Sequence, residues 1–326
     1  MEKSKTHFLR RAALLLALLM MAAAVLAGCG ETKEPEEDTD GDEVIVKPEP
    51  VELPDGVSFD EEKYPDVFAF IQVPNASQCA VSKGHYVAQS PKSAQSSTGY
   101  DDDYYLNRDL DGVTNKAGSL YIQAHFNKAD LSDPVTVIYG HNMANRTMFG
   151  GLQSYAETMK FDDNAIVYMY QPGRQVTYRL FAAIPYDTSH LLYYHDFTDE
   201  AVFNAFFEAL AKAADDPNYA SDTNQNAFYS AEGCVNVDKE NLPKAGDKVL
   251  VLSVCKNGDD NHRYLIMAKL VKDSAEPVSM TKEEARAAGV TEDRIFHGDE
   301  GTGNKTDVAQ KPAAGTVTTA KNDKQN

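Results

Sequence analysis

Tryptophan is absent from the 326-residue chain, and there are only four cysteines. Basic residues are also in short supply: 31 Lys and Arg face 50 Asp and Glu, for a formal net charge of −19. A surplus of that sign argues against nucleic acid as a partner. No internal repeat, glycine-rich phosphate loop, CxxC pair or HExxH helix occurs. Solenoid, phosphate-loop, dithiol and zincin readings therefore lose their motif basis. No His, Cys, Asp and Glu cluster has metal-ligand spacing, so neither a metal nor another cofactor is expected. The acidic runs at 101–103 and 259–260 read as solvated loops.

Long apolar runs are missing too, with one exception. After the basic start "MEKSKTHFLRR", residues 12–28 are uncharged and apolar and end directly before Cys29. A basic region, an apolar region and small residues near the end describe a secretory signal. "LAGC", Leu26–Cys29, looks like a bacterial lipobox in which Cys29 is lipidated and becomes the new N-terminus. A plain single-pass anchor helix is the alternative, since the run is at the lower limit of a bilayer span. Either way the rest of the chain is expected outside the cytoplasmic membrane, tethered to it through its N-terminus. Of the other cysteines, Cys79 and Cys234 read as two small buried hydrophobes, with a disulfide between them as the alternative.

Residues 30–56 are rich in Glu, Asp and Pro and poor in large apolar side chains. They read as a disordered, self-repelling linker. Residues 273–326 read as a polar tail without a core, with a short helix near "MTKEEARAAGV". Between them, residues 57–272 suffice for one packed domain. Its first stretch, 57–73, has apolar residues Val67, Phe68, Phe70 and Ile71 at helical spacing. β-rich runs follow at 119–126, 134–141, 165–170, 175–186, 248–255 and 264–271, separated by turn residues. Two helices interrupt them. One lies in "FGGLQSYAETM"; the other spans 198–215, with Thr198 as N-cap and an apolar face of Val202, Phe203, Phe206, Phe207 and Leu210. The pattern is that of a mainly β barrel with a helix at its start and another inserted before its last strands.

Two spots carry chemistry. Cys255 ends one strand-like run and Arg263 starts the next, so a hairpin brings them together. An unperturbed thiol, with a pKa of about 8.5, and an imidazole of about 6.5 form the reactive ion pair in only about one molecule in a hundred. A fixed guanidinium favours the thiolate. The bland reading of this stretch alone is a buried cysteine near a turn. His141 follows Gly140 at the end of another β-rich run, where glycine would permit a tight bend. His85, His125, His190, His195, His262 and His297 compete with it, and spacing excludes none of them.

"VTVIYGHNMANRTMFGGLQSY", followed over a hundred residues later by "LSVCKNGDDNHRYLIMAKLV", resembles the signature pair of class B sortases. "YPDVFAFIQVPNAS" is similar to that family's opening helix and first strand, and "DDYYLNRDLDGVTNKAGSLYI" to its "YYL…GSIF" region. The resemblance covers about 60–271 and implies an eight-stranded sortase barrel. On that resemblance Cys255 is the nucleophile, His141 the general acid/base and Arg263 the stabiliser of thiolate or oxyanion. Ser253, Val254 and Asn115 are second-tier substrate contacts. Asp259 and Asp260 are candidates for orienting His141 or Arg263, or simply a solvated turn. The implied reaction cleaves a C-terminal sorting motif of Asn-Pro-x-Thr-Asn type after Thr in a secreted protein. The acyl group then passes to an amine of a peptidoglycan precursor, lipid II-like, through a thioester. A hydrolytic cysteine peptidase and a non-catalytic peptide- or wall-binding lipoprotein are the alternatives. Four departures stand out: Val254 where "LSTC" has Thr, Phe70 where Trp is common, a long Ser-rich stretch from Gln78 onward, and a lipobox in place of the usual single-pass anchor.

Overall fold

The computed structural model describes residues 43–76, 79–97, 99–157, 161–215, 236–256 and 259–296, without the side chains of 256–261. Residues 1–42 lie outside the described residues. The signal and lipobox reading, Cys29 included, therefore lies outside them, as do Cys234, His297 and the tail beyond residue 296. Among the described residues no helix is long and apolar enough to cross a membrane.

In chain order the strands are β1 (Glu43–Val46), β2 (Val67–Gln72), β3 (His85–Gln89), β4 (Gln95–Ser96), β5 (Gly99–Tyr100), β6 (Leu120–Ile122) and β7 (Val135–Gly140). Then follow α1 (Ser154–Glu157), β8 (Ile166–Gln171), β9 (Arg174–Asp187), α2 (Leu191–Tyr194), α3 (Glu200–Asp215) and β10 (Asn236–Val237). β11 (Val249–Lys256), β12 (Asp259–Asp273), β13 (Val278–Thr281), α4 (Lys282–Ala287) and β14 (Ile295–Phe296) complete the order. The main sheet runs β9-β12-β11-β7-β6-β3-β2-β8, and β8 pairs back onto β9, which closes an eight-stranded barrel. β9 is long enough to serve two neighbours on one edge. Its first half, Arg174–Arg179, pairs with β8, and beyond that Ala182 and Ala183 pair with β10.

Strand alternation sorts the side chains into two cores, because successive residues point to opposite faces. Leu250, Leu252 and Val254 of β11, Tyr264, Ile266 and Ala268 of β12, and Ile138 of β7 fill the barrel interior. Val249 and Val251, Leu265 and Met267, and Val135 and Val137 face outward into a second cluster. That outer face is covered by α3, whose Phe203, Phe206, Phe207 and Leu210 are buried as the helical pattern predicts. Its N-cap is Asp199, not Thr198: Asp199 Oδ1 accepts from the amides of Ala201 and Val202 at 2.8 and 3.3 Å. Thr198 is drawn instead onto Asp196.

Two expectations are corrected. No helix opens the domain: residues 57–66 form coil and turns, and Val67–Gln72 is a strand. Its unbroken apolar run satisfies a buried strand as well as a helix, and residues of this run pair with both β3 and β8. The linker and the tail are not wholly without structure either. β1 from the former lies between β13 and β14 from the latter in a three-stranded sheet. Val44, Val46 and Ala285 form its small core.

Candidate active site

Cys255 and Arg263 are direct cross-strand partners in the antiparallel β11–β12 ladder, and the register shifts immediately afterwards, between Cys255 and Lys256. Facing residues of that kind hold their Cβ atoms about 5 Å apart on the same face of the sheet. By alternation that is the outer face, shared with Val251 and Ser253. β7 lies parallel to β11 on its other side, with Gly140 opposite Val254, so the next residue, His141, emerges beside Cys255. Where α3 no longer covers this face, a cleft of about 190 Å³ opens. His141, Ser253, Cys255 and Arg263 all line it, together with Leu106, Tyr121, Tyr139, Asp103, Gln123 and His190.

Gly140 is present for packing, not for a bend. Its φ is not in the left-handed region, and a Cβ there would lie 2.5 Å from Leu120 and 2.6 Å from the Phe149 ring. Among the described residues the His141 side chain makes one hydrogen bond, Nε2 to the Leu106 carbonyl at 2.8 Å. A carbonyl only accepts, so Nε2 carries the proton and Nδ1 is the nitrogen that exchanges one. The Leu106 carbonyl sits in a tight turn over Gly118 (φ +58°), where a Cβ would fall 2.1 Å from that oxygen. The Gly of "NKAGSLYI" is therefore a support for the histidine.

The competing histidines separate on their partners. His190 also lines the cleft, but both ring nitrogens are engaged: Nδ1 accepts from the Tyr193 amide at 3.1 Å and Nε2 donates to Gln123 Oε1 at 2.6 Å. His125 is paired with Asp102 at 2.7 Å, and His85 lies in β3. His195 is buried between Phe197 and Phe206, where burial pushes its pKa down. His262 lies next to Arg263 in β12 but does not line the cleft. His141 is thus the cleft histidine with a nitrogen open to exchange.

Sequence reasoning missed Asn142. Its Nδ2 donates both protons, to the Cys255 carbonyl at 2.8 Å and to Gln153 Oε1 at 2.7 Å. β7 leaves the ladder after Gly140, and the Asn142 side chain takes over where backbone pairing stops. It fixes the Cys255 peptide and ties it to the residue after His141. The tyrosines at the cleft are not bases: burial pushes the Tyr121 and Tyr139 phenols far up, with Arg263 opposing the shift.

Not every expected residue is in the cleft. Asn115 shapes a turn instead, its Oδ1 accepting from the Ala117 amide at 3.0 Å, and it does not line the cavity. Val254 points the opposite way from Cys255, into the barrel interior, and is 1% exposed. Side chains of Asp259 and Asp260 fall outside the described residues.

No family model matches the chain. Among curated proteins, Sortase B of Listeria monocytogenes is 26% identical over 178 residues, covering 52% of this chain and 61% of the relative. Sortase B of Staphylococcus aureus is 21% identical over 170 residues, with the same shares of the two chains. The chain is thus similar in sequence to two class B sortases over about half of its length. It spans about three fifths of the length of these two class B sortases. Among solved structures, a B. anthracis sortase B complex matches at 20% identity and a TM-score of 0.48, over 69% of this chain and 89% of that one. Clostridium perfringens sortase B matches at 21% and 0.44, over 65% and 97%. The fold assignment rests on this chain's own strand pairing.

Two departures from the class B sortase pattern have local physical reasons. Val254 occupies an apolar interior position where a Thr hydroxyl would need a partner. The Phe70 ring lies against Gly84 so closely that a Cβ there would be 2.1 Å away, and it packs edge-on to Tyr86 at 5.1 Å. A larger indole would have to displace that turn.

Proposed function

We propose that the protein is a cysteine transpeptidase acting on a C-terminal sorting signal of a secreted protein. The observation that supports this most is the convergence of His141, Cys255 and Arg263 from three adjacent strands on one cleft. In this reading the Cys255 thiolate attacks the carbonyl carbon of a Thr in a motif of Asn-Pro-x-Thr-Asn type. Arg263, facing Cys255 across the ladder, stabilises first the thiolate and then the oxyanion. His141 delivers a proton from Nδ1 to the departing amine while Nε2–H stays on the Leu106 carbonyl. An amine of a peptidoglycan precursor then releases the acyl group. The protein works at the outer face of the cell membrane, tethered through Cys29 or through an N-terminal helix.

Replacing Cys255 with Ala is expected to abolish cleavage of an Asn-Pro-x-Thr-Asn peptide and to leave the thermal midpoint close to wild type, since the side chain is only partly buried. Full activity in that variant would end the proposal. Mass spectrometry with an added amine separates transfer from hydrolysis, the ligated product being the expected one. Fatty-acid labelling that persists in Cys29→Ser would remove the lipid tether.

A further inference from the structure

The acidic run Asp101–Asp103 does not behave as one solvated patch. Asp101 pairs with Arg108 at 3.4 Å and Asp102 with His125 at 2.7 Å. Asp103 has no cationic partner among the described residues, and it alone of the three lines the cleft. Its surroundings are ordered in one direction. The Tyr193 amide donates to His190 Nδ1, and His190 Nε2–H donates to Gln123 Oε1 at 2.6 Å. Gln123 Nε2 then donates to Asp103 Oδ1 at 2.9 Å, and the Tyr121 hydroxyl donates to the same Oδ1 at 2.8 Å. Gln123 and Tyr121 are 5% and 2% exposed, so these donors are locked in place. Every donor ends on Oδ1. Oδ2 receives none from the described residues, and Asp103 itself is exposed at the cleft.

We propose that Asp103 forms a subsite for the protonated amino group of the acyl acceptor, a reading that rests on the transpeptidase function. Tyr121 and Tyr139 stack at 5.5 Å and 27°, and both feel Asp103 and Arg263 with opposite sign. The cleft thus has a positive pole at the thiol and a negative pole at Asp103. A sorting motif of the Asn-Pro-x-Thr-Asn kind brings no obligatory cation. The acceptor does: a primary amine is an ammonium ion at neutral pH. Held by Asp103, it sheds one proton to solvent, and its nitrogen attacks the thioester carbonyl carbon. The C–N bond forms, the C–S bond breaks, and the second amine proton passes through His141 to the departing Cys255 sulfur.

Asp103→Asn tests this, because it keeps an Oδ1 acceptor for Tyr121 and Gln123 and removes the charge. Three rates are compared: formation of the Cys255 acyl adduct from an Asn-Pro-x-Thr-Asn peptide, read by intact mass; its transfer to triglycine, whose amino group is an ammonium ion at neutral pH; and its transfer to hydroxylamine, largely neutral. The expected result is unchanged acylation, unchanged transfer to hydroxylamine, and a roughly two- to fivefold loss with triglycine, the range of an exposed charge pair. Added salt should slow triglycine transfer in the wild type and not in the variant. Equal losses with both acceptors, or slowed acylation, would overturn the subsite. Should the variant not fold, a wild-type triglycine rate indifferent to salt would overturn it, and one that falls with salt would support it. Failure of the wild type to form any adduct would remove the transpeptidase reading itself, a different outcome from an adduct that forms normally and ignores Asp103.

Discussion

The barrel and the small sheet that joins the two ends of the described chain face the same problem, hiding one face of each strand, and solve it differently. In the barrel, strands of up to 15 residues alternate between two apolar cores, and α3 seals the outer one. In the terminal sheet, strands of 4, 4 and 2 residues share three buried side chains, Val44, Val46 and Ala285. A buried Val contributes about 1.5–3 kcal/mol and Ala less, so that core is barely larger than the cost of ordering it. Directed polar contacts supply much of the rest. The Lys47 amide donates to the Arg294 carbonyl at 2.7 Å, and Arg294 Nε donates back to the Lys47 carbonyl at 2.9 Å. Segments with few buried contacts and exposed hydrogen bonds open locally, without global unfolding. The chemistry sits on the cooperative part, and the polar clamp at the termini does not touch it.

The largest effect is expected in the barrel's outer core. Phe206 is 1% exposed and packs against Phe197, His195 and Phe207 with centroids 5.1–5.2 Å away. Phe206→Ala should cost about 3–5 kcal/mol in urea unfolding and shift the whole transition. A loss under about 1 kcal/mol would mean that α3 is not part of the cooperative unit.

Next comes a change that separates function from stability within the barrel. Asn142→Ala leaves the Cys255 carbonyl and Gln153 Oε1 without their donor, and removing one partner of a half-buried hydrogen bond costs about 1–3 kcal/mol. Because the contact holds the Cys255 peptide, Cys255 acylation under the proposed function should fall about tenfold, while the thermal midpoint drops less than in Phe206→Ala. A lowered midpoint with an unchanged acylation rate would reduce Asn142 to scaffolding.

The two regions also differed in how far their sequence could be read. Runs such as "KVLVLSVC" and "YLIMAKLV" alternate between faces, and that alternation already places Cys255 with Ser253 and apart from Val254. The assignment of Val254 as a substrate contact overlooked that period of two. β2 escaped because "VFAFIQ" is apolar on both faces and carries no alternation to distinguish it from a helix. β3 escaped because "HYVAQ" is short and set in a polar stretch. At the site, residue type and neighbours paired Cys255 with Arg263, while His141 was singled out among the histidines only by the resemblance. The Leu106 carbonyl, the Asn142 amide and the Gln123–Asp103 hydrogen bond were not legible, since each depends on a contact across 11 residues or more of sequence or on a backbone atom that any residue supplies. In the terminal sheet the pairing of β1 with β14 spans almost the whole described chain, and its strands hold too few apolar residues for any periodicity to show.

The smallest effect should come from the polar clamp, and it distinguishes local from global stability. Thr281 caps α4 in a reciprocal arrangement: its Oγ1 accepts from the Glu284 amide at 3.2 Å, and Glu284 Oε2 accepts from the Thr281 amide at 2.9 Å. Losing such a cap costs about 1 kcal/mol. In the barrel that amount would disappear into a much larger total. In a unit whose own stability is small, the same loss is a large fraction of it. Thr281→Ala should therefore speed amide exchange roughly fivefold in β1, β14 and α4, which is what about 1 kcal/mol means for a local opening equilibrium. Amides of β11 and β12 should keep their wild-type rates, and so should peptide cleavage. If exchange instead rises equally in β11, the terminal sheet and the barrel unfold as one, and the contrast between them is one of size only.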